Sequence, residues 1–153
     1  MRIRIELVED EAQEEVVIRC KEVNDQIQRL GRYIQEVGAQ AMRIVFYSEG
    51  GEFFFPIDDV YFFETNDENV FAHTAKESYQ VKYRLYELEQ VLPRQFVRVS
   101  KSTILNARHV FSVQRNLTAS SLVQFQSSHK QVFVSRHYFK ALRQRLDERS
   151  ILL

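Results

Sequence analysis

Apolar and polar positions follow two different rhythms along the chain, and the change falls near residue 40. Ile3, Ile5 and Leu7 alternate with Arg4 and Glu6, which predicts a half-buried strand over 3–8. The acidic stretch 9–15 predicts a turn or loop, and Val16–Cys20 a second strand. Val23, Ile27, Leu30, Ile34 and Val37 then recur at steps of four and three. That spacing places them on one face of an amphipathic helix over 23–37, with Gly38 as its C-cap. A ββα unit of 40 residues is too short to bury its own faces. Its apolar stripe must pack on the rest of the chain or on a second copy of it.

From Met42 the rhythm is that of short strands separated by polar turns. Met42–Ser48 and Phe53–Pro56 are expected to form a hairpin around Glu49-Gly50-Gly51-Glu52. Val60–Glu64, Val70–Thr74 and Tyr79–Tyr83 read as further strands, with polar turns at 65–68 and 75–78. Leu85–Val91 reads as a short helix that Pro93 ends. Phe96–Val99 and Thr103–Asn106 flank Ser100-Lys101-Ser102, and Val110–Gln114, Leu122–Gln126 and Gln131–Val134 complete the strands. Ser135 is placed to cap a terminal helix over 136–148, with Phe139, Leu142 and Leu146 facing inward. The expected fold is mainly β with short helices: a β domain over 42–149 carrying a ββα appendage over 1–40.

Composition narrows the function. Of 153 residues, 44% are hydrophobic and only two are Pro and four Gly, so the chain can bury a core. No apolar run is long enough to span a membrane, and the N-terminus turns acidic before any signal-like apolar region develops. A cytoplasmic protein is expected. Cys20 is the one cysteine, which leaves no internal disulfide or thiolate-rich metal site, and it reads as a small buried residue of its strand. His73, His109, His129 and His137 show no metal-ligand spacing, so no metal and no cofactor are expected. The Phe-Phe-Phe run at 53–55 and the Tyr-Phe-Phe run at 61–63 read as buried strands rather than base-stacking platforms.

The formal net charge is zero, yet the charges are segregated. Residues 1–40 carry six basic and nine acidic side chains, and 41–75 carry one basic and seven acidic. Residues 76–153 carry fourteen basic and five acidic, and a polyanion would bind there. Lys101, flanked by Ser100 and Ser102 on a break between strands, is suited to phosphate oxygens or a base edge, and equally to a plain solvated turn. Arg98 alternates with Val97 and Val99 and so projects outward, toward phosphate or a surface ion pair. Asn106 ends a strand, where its amide either pairs with a base or phosphate or caps the turn. Arg136 follows Ser135 at a helix start, where backbone N–H groups favour an anion and a guanidinium can bind guanine or phosphate in bidentate fashion, the alternative being a pair with a nearby carboxylate. Arg143, Arg145 and Arg149 read first as a solvated helix face.

Four segments in order carry a resemblance. They are FPIDDVYFFETNDENVFAHT, YRLYELEQVLPRQFVRVSKSTILNARHV, SLVQFQSSHKQVFV and VSRHYFKALRQRL. Together they resemble the LytTR family of DNA-binding domains over about 42–147. The resemblance implies an elongated antiparallel β fold that binds double-stranded DNA through loops in adjacent major grooves, with a minor-groove contact between them, and acts as a transcription regulator. It makes Arg136 a base-contacting residue and Asn69 the Asn of the first contact loop, and it favours a contact role for Asn106. His137 stands where the family often has a second Arg, and Ser100 where it commonly has His. Asp67 and Glu68 beside Asn69 depart from the pattern: they would repel phosphate, or instead accept from cytosine N4 in the major groove or point away. Most family members are response regulators with a receiver domain. The 40 residues before this domain cannot hold one, so a stand-alone member is expected, for which an inhibitory membrane protein is one expected partner and a second copy of the chain another. No small-molecule substrate is expected. A non-enzymatic protein-interaction β module is the alternative. An enzyme is disfavoured, because no nucleophile elbow, P-loop or Gly-rich loop is present.

Overall fold

The computed structural model describes residues 4–9, 15–40 and 44–152. After the helix α1 (Asp25–Gln40) come strands β1 (Phe46–Ser48), β2 (Gly51–Phe53), β3 (Phe62–Asn66), β4 (Asn69–His73) and β5 (Ser78–Val81). A short helix α2 (Leu85–Val91) leads to β6 (Phe96–Ser100), β7 (Thr103–Asn106), β8 (Val110–Gln114), β9 (Ser121–Phe125) and β10 (Gln131–Val134), and α3 (Phe139–Leu152) follows. The strands form two antiparallel sheets, one ordered β2-β1-β5-β4-β3-β7-β6 and one ordered β10-β9-β8.

The large sheet is covered on both faces at β3, β7 and β6, and the sequence of β3 shows how. Successive side chains of a strand point to opposite faces. Phe63 is fully buried opposite Ile104 of β7, in a cluster closed by Leu85 and Leu88 of α2. Its neighbour Phe62, opposite Leu105, faces the other way into a cluster with Val123, Val132 and Val134 of the small sheet and Leu142 of α3. The Tyr61 hydroxyl donates to the Gln126 carbonyl at 3.0 Å, a further tie between the two sheets. The mainly β architecture with short helices is therefore the one expected from the pattern, and Tyr61-Phe62-Phe63 is buried as expected.

The appendage differs. Residues 4–9 and 15–24 form neither helix nor strand, so the strands expected over 3–8 and 16–20 are absent; residues 1–3 and 10–14 of that region lie outside the described residues. Leu7 is 98% exposed. An isolated two-stranded ribbon is marginal in water without a third element to cover it. Cys20 is exposed rather than buried. The helix begins at Asp25 because Asn24 caps it, its Oδ1 accepting from Ile27 N–H at 3.1 Å. It runs through Gly38, which is not its C-cap. Ile27, Leu30 and Ile34 are half-buried, whereas Val23 and Val37 are exposed.

Three local corrections have simple causes. The first hairpin turns on Glu49-Gly50, both with positive φ (48° and 78°), so Gly51 already pairs with Ser48 and β2 starts earlier than expected. Phe53 and Phe54 of the Phe-Phe-Phe run are exposed, and only Phe55 is partly buried, stacked on Phe46. Ser135 does not cap with its side chain: a 3-10 turn over Arg136–Tyr138 intervenes, and the α-helix starts at Phe139.

A polar bridge joins the sheets beside Phe62. His73 stacks on Phe62 at 4.2 Å, its Nε2 lies 3.3 Å from Glu64 and its Nδ1 3.3 Å from Lys130 Nζ. Lys130 also donates to the Glu77 carbonyl at 2.7 Å. Burial, and then the nearby Lys130 ammonium, lower the His73 pKa to about 4. The folded state thus binds this proton later than the unfolded chain as pH falls. The stability it holds above pH 6.5 is lost as pH drops toward 4, with a change of order 2 kcal/mol. His73→Gln is expected to flatten the stability profile between pH 6.5 and 4 in urea melts; an unchanged slope would assign that acid sensitivity elsewhere.

Candidate nucleic-acid interface

Three segments distant in sequence meet at one end of the large sheet. The β3–β4 hairpin turns through Asp67 and Glu68, with Asn66 paired to Asn69. Asp67 has φ 54°, a conformation that Asp tolerates better than most residues. The neighbouring β6–β7 turn is docked to it by Thr65 N–H donating to the Ser102 carbonyl at 2.9 Å. On the far side of β6, Ser135 N–H donates to the Val99 carbonyl at 2.9 Å, which brings Arg136 and His137 to the same end. Asn69, Ser100, Lys101, Ser102, Arg136 and His137 therefore share one rim of the molecule.

Their side chains are held differently. Asn69 is exposed, and its Oδ1 accepts from Gln80 Nε2 at 3.0 Å. Ser100 and Ser102 hydroxyls lie 3.3 Å apart, and Ser102 N–H donates to Ser100 Oγ at 3.2 Å, so the turn is internally tied. Lys101 and Arg136 are exposed and their side chains make no hydrogen bond or ion pair with the described residues. His137 is exposed and meets the Tyr138 ring edge-on. Ser135 Oγ, next to Arg136, is buried and without a partner among the described residues.

Two expected contact residues are placed elsewhere. Arg98 does not project outward. It points to the α2 face, donating from Nε to the Ser100 carbonyl at 2.7 Å and from Nη1 to Glu89 at 2.8 Å, and from Nη2 to the Lys101 carbonyl. With its donors occupied and its side chain 17% exposed, Arg98 holds the 100–102 turn in shape instead of facing solvent. Asn106 is 0% exposed at the opposite end of β7. Its Nδ2 donates to the Val60 carbonyl at 3.0 Å and to Asp58 Oδ1 at 3.2 Å, and its Oδ1 accepts from Arg108 N–H at 3.1 Å. Its capping alternative is the one realised. The alternation that marks Arg98 as outward assumes a sheet with one solvated face, and this sheet has none at β6.

The rim also carries residues that no sequence pattern singles out. The loop 115–120 joins β8 to β9 at this end, because Ser121 pairs with Val134, directly before Ser135. The loop is anchored by Asn116 N–H donating to Ser121 Oγ at 3.0 Å, and the Arg115 guanidinium sits 4.6 Å over the Phe139 ring. Lys140, on the first turn of α3, is exposed. The break Arg115–Ser120 between two strands marks a loop in the sequence, but not its place at this rim. Lys101, Arg115, Arg136 and Lys140 are thus exposed on the segments that meet at this rim, and Asp67 and Glu68 are exposed at the hairpin tip.

No α-helical pair here forms a helix-turn-helix among the described residues: α1 leads into β1, α2 into β6, and α3 ends the described chain. Also among the described residues, no helix is long and apolar enough to cross a membrane.

Known proteins share this architecture. A solved LytTr DNA-binding domain, from a Bacillus cereus chain described as a putative methyl-accepting/DNA response regulator, superposes with a TM-score of 0.62 at 23% identity. It covers 69% of this chain and 97% of that one. A protein of Staphylococcus aureus strain NCTC 8325, named an uncharacterized HTH-type transcriptional regulator, is 26% identical over 146 residues, 95% of this chain and 98% of its own. A protein of the same description in the bovine strain RF122 is 27% identical over the same length. The sequence model of the LytTr DNA-binding domain matches residues 51–147. With the motifs, the two-sheet fold and this match in agreement, the chain belongs to the LytTR family of DNA-binding domains.

Proposed function

We propose that this protein regulates transcription by binding double-stranded DNA sequence-specifically through the loop rim of its β domain, residues 42–149. Arg136 and Lys101 are its principal contacts, with Asn69, Ser100, Ser102 and His137 around them. The observation that carries this reading is the convergence of the 66–69, 100–102 and 135–137 segments, with the two cations unpaired among the described residues. Arg115 and Lys140 widen the cationic rim toward the phosphate backbone. Arg98 contributes indirectly, by fixing the turn that presents Lys101. The regulatory part of the reading is supported by the names of the Staphylococcus aureus relatives. The protein acts without catalysis, in the cytoplasm.

Selection of bound duplexes from a random library is the direct test. A recurrent motif, bound with an affinity that falls steeply as salt rises, is expected. Recovery of the unselected library sequence distribution would refute sequence-specific binding. Within that assay Asp67→Asn keeps a residue tolerant of positive φ and removes one negative charge from the rim. It is expected to raise affinity about threefold at low ionic strength and to lose that advantage as screening shortens the field.

The N-terminal residues 1–40 serve association in this proposal. The α1 stripe is half-covered by its own chain, with Val37 49% exposed, and a second copy would cover the remainder. A homodimer at tens of micromolar by light scattering supports this, and a monomer removes it. An inhibitory membrane protein is a further partner; its absence from membrane pull-downs with the tagged protein would count against that.

A further inference from the structure

At the end of the molecule away from the loop rim, four arginines crowd one small cavity. Arg94, Arg108, Arg145 and Arg149 line a space of about 60 Å3, with Glu148 as the acidic wall and Gln35 of α1 closing one side. By volume the space holds roughly four water-sized positions. It is reached from α3 by going away from Arg136: Glu148 lies nine residues into the helix region beyond Phe139, about 14 Å along the axis.

The charges in it are not balanced. Glu148 is taken by Arg94, which grips both its oxygens at 2.7 and 3.0 Å. Arg108 has Asp58 at 3.5 Å. Arg149 spends its Nη1 on the carbonyls of Ala107 and Val110, at 2.7 and 2.6 Å, which occupies that nitrogen without cancelling its charge. Arg145 reaches Glu148 only at 3.8 Å, and its Nε is buried with no partner among the described residues. An unmet buried donor on a charged group carries a large desolvation cost, and a cation beside cations adds repulsion. Burial and then the neighbouring Arg94 push the Arg145 pKa down, more than the distant Glu148 raises it.

We infer that this cavity is a binding site for a small tetrahedral oxyanion of the phosphate type, held by Arg145 and Arg149 and bridging α1 to the β domain through Gln35. Guanidinium groups pair with such oxyanions through strong charge-assisted hydrogen bonds. The lining comes from four separate parts of the chain, α1, the segment before β6, the turn before β8 and α3, which suits a ligand with acceptors on all sides better than a planar carboxylate.

Calorimetric titration of the full chain with inorganic phosphate, in low-salt phosphate-free buffer, is the test. Saturable binding in the submillimolar range is expected, with a matching rise in melting temperature. Arg145→Gln is expected to weaken it at least about tenfold, and Gln35→Leu, on the exposed side of the cavity, to weaken it measurably without touching the arginines. Arg136→Ala is expected to leave phosphate affinity unchanged, and Arg145→Gln to leave DNA affinity in phosphate-free buffer unchanged. If Arg145→Gln does not fold, Gln35→Leu decides. No binding by the wild type at millimolar phosphate, full binding by the folded variants, loss of it in Arg136→Ala, or loss of DNA affinity in Arg145→Gln would each overturn the assignment.

Discussion

Arg136→Ala is expected to lower affinity for the selected duplex by about 10- to 100-fold, the usual worth of one bidentate hydrogen-bonded pair between arginine and a base. The residue stands first in a 3-10 turn, its backbone fixed by the bond from Ser135 N–H to Val99 on β6. The side chain is exposed and unpaired among the described residues, so truncation breaks no contact there and the melting temperature should hardly move. Two readouts separate base from phosphate. If Arg136 reads a base, Arg136→Lys also loses discrimination at one position, because an ammonium cannot copy the bidentate fork, while the salt dependence stays as in the wild type. If it holds a phosphate, Arg136→Lys keeps most of the affinity, and Arg136→Ala lowers the salt slope by about one across all sequences. Equal binding by Arg136→Ala and wild type would remove this residue from the interface.

The rim is legible in the sequence in proportion to how local its geometry is. The turn at 100–102 and the hairpin tip at 66–69 follow from strand periodicity and polar breaks. So does the position of Arg136 just after a strand. Loop 115–120 is not legible in that way, because its membership depends on a long-range pairing, Ser121 with Val134, that no local pattern reveals. Arg98 is misplaced by its pattern for a related reason. Period-two alternation gives the face of a strand, but not what covers that face, and here α2 brings Glu89 over it. The appendage fails in the opposite way. Its alternation at 3–8 is real, yet no neighbouring strand among the described residues completes a ladder, and Ile5 and Leu7 remain in water. Segregated charge survives best, because net charge by segment needs no knowledge of side-chain partners: the basic residues of 76–153 supply every cation of the rim.

Asn106, expected at the DNA, lies in the core, so its replacement should act on stability. In Asn106→Ala the Val60 carbonyl and the Arg108 N–H lose the partner that Asn106 supplies, while Asp58 keeps Gln95 and His109. A buried group left unsatisfied costs about 1–3 kcal/mol, so with partial relaxation the two groups together make a loss of roughly 2–4 kcal/mol. For a domain of this size that is a large share of the whole stability. The damage should spread locally. Gln95 Nε2 also donates to Asp58 Oδ1 at 2.7 Å, and His109 Nε2 meets the Asp58 carbonyl, so one carboxylate loop ties the segment before β3 to the starts of β6 and β8. Asn106→Ala is therefore expected to move the urea midpoint strongly downward, while the fraction still folded binds DNA with wild-type affinity and salt slope. Asn106→Asp should also destabilise, because a carboxylate placed beside Asp58 has no hydrogen to offer Val60. A stable Asn106→Ala protein with weakened DNA binding would reverse the assignment and return the residue to the interface.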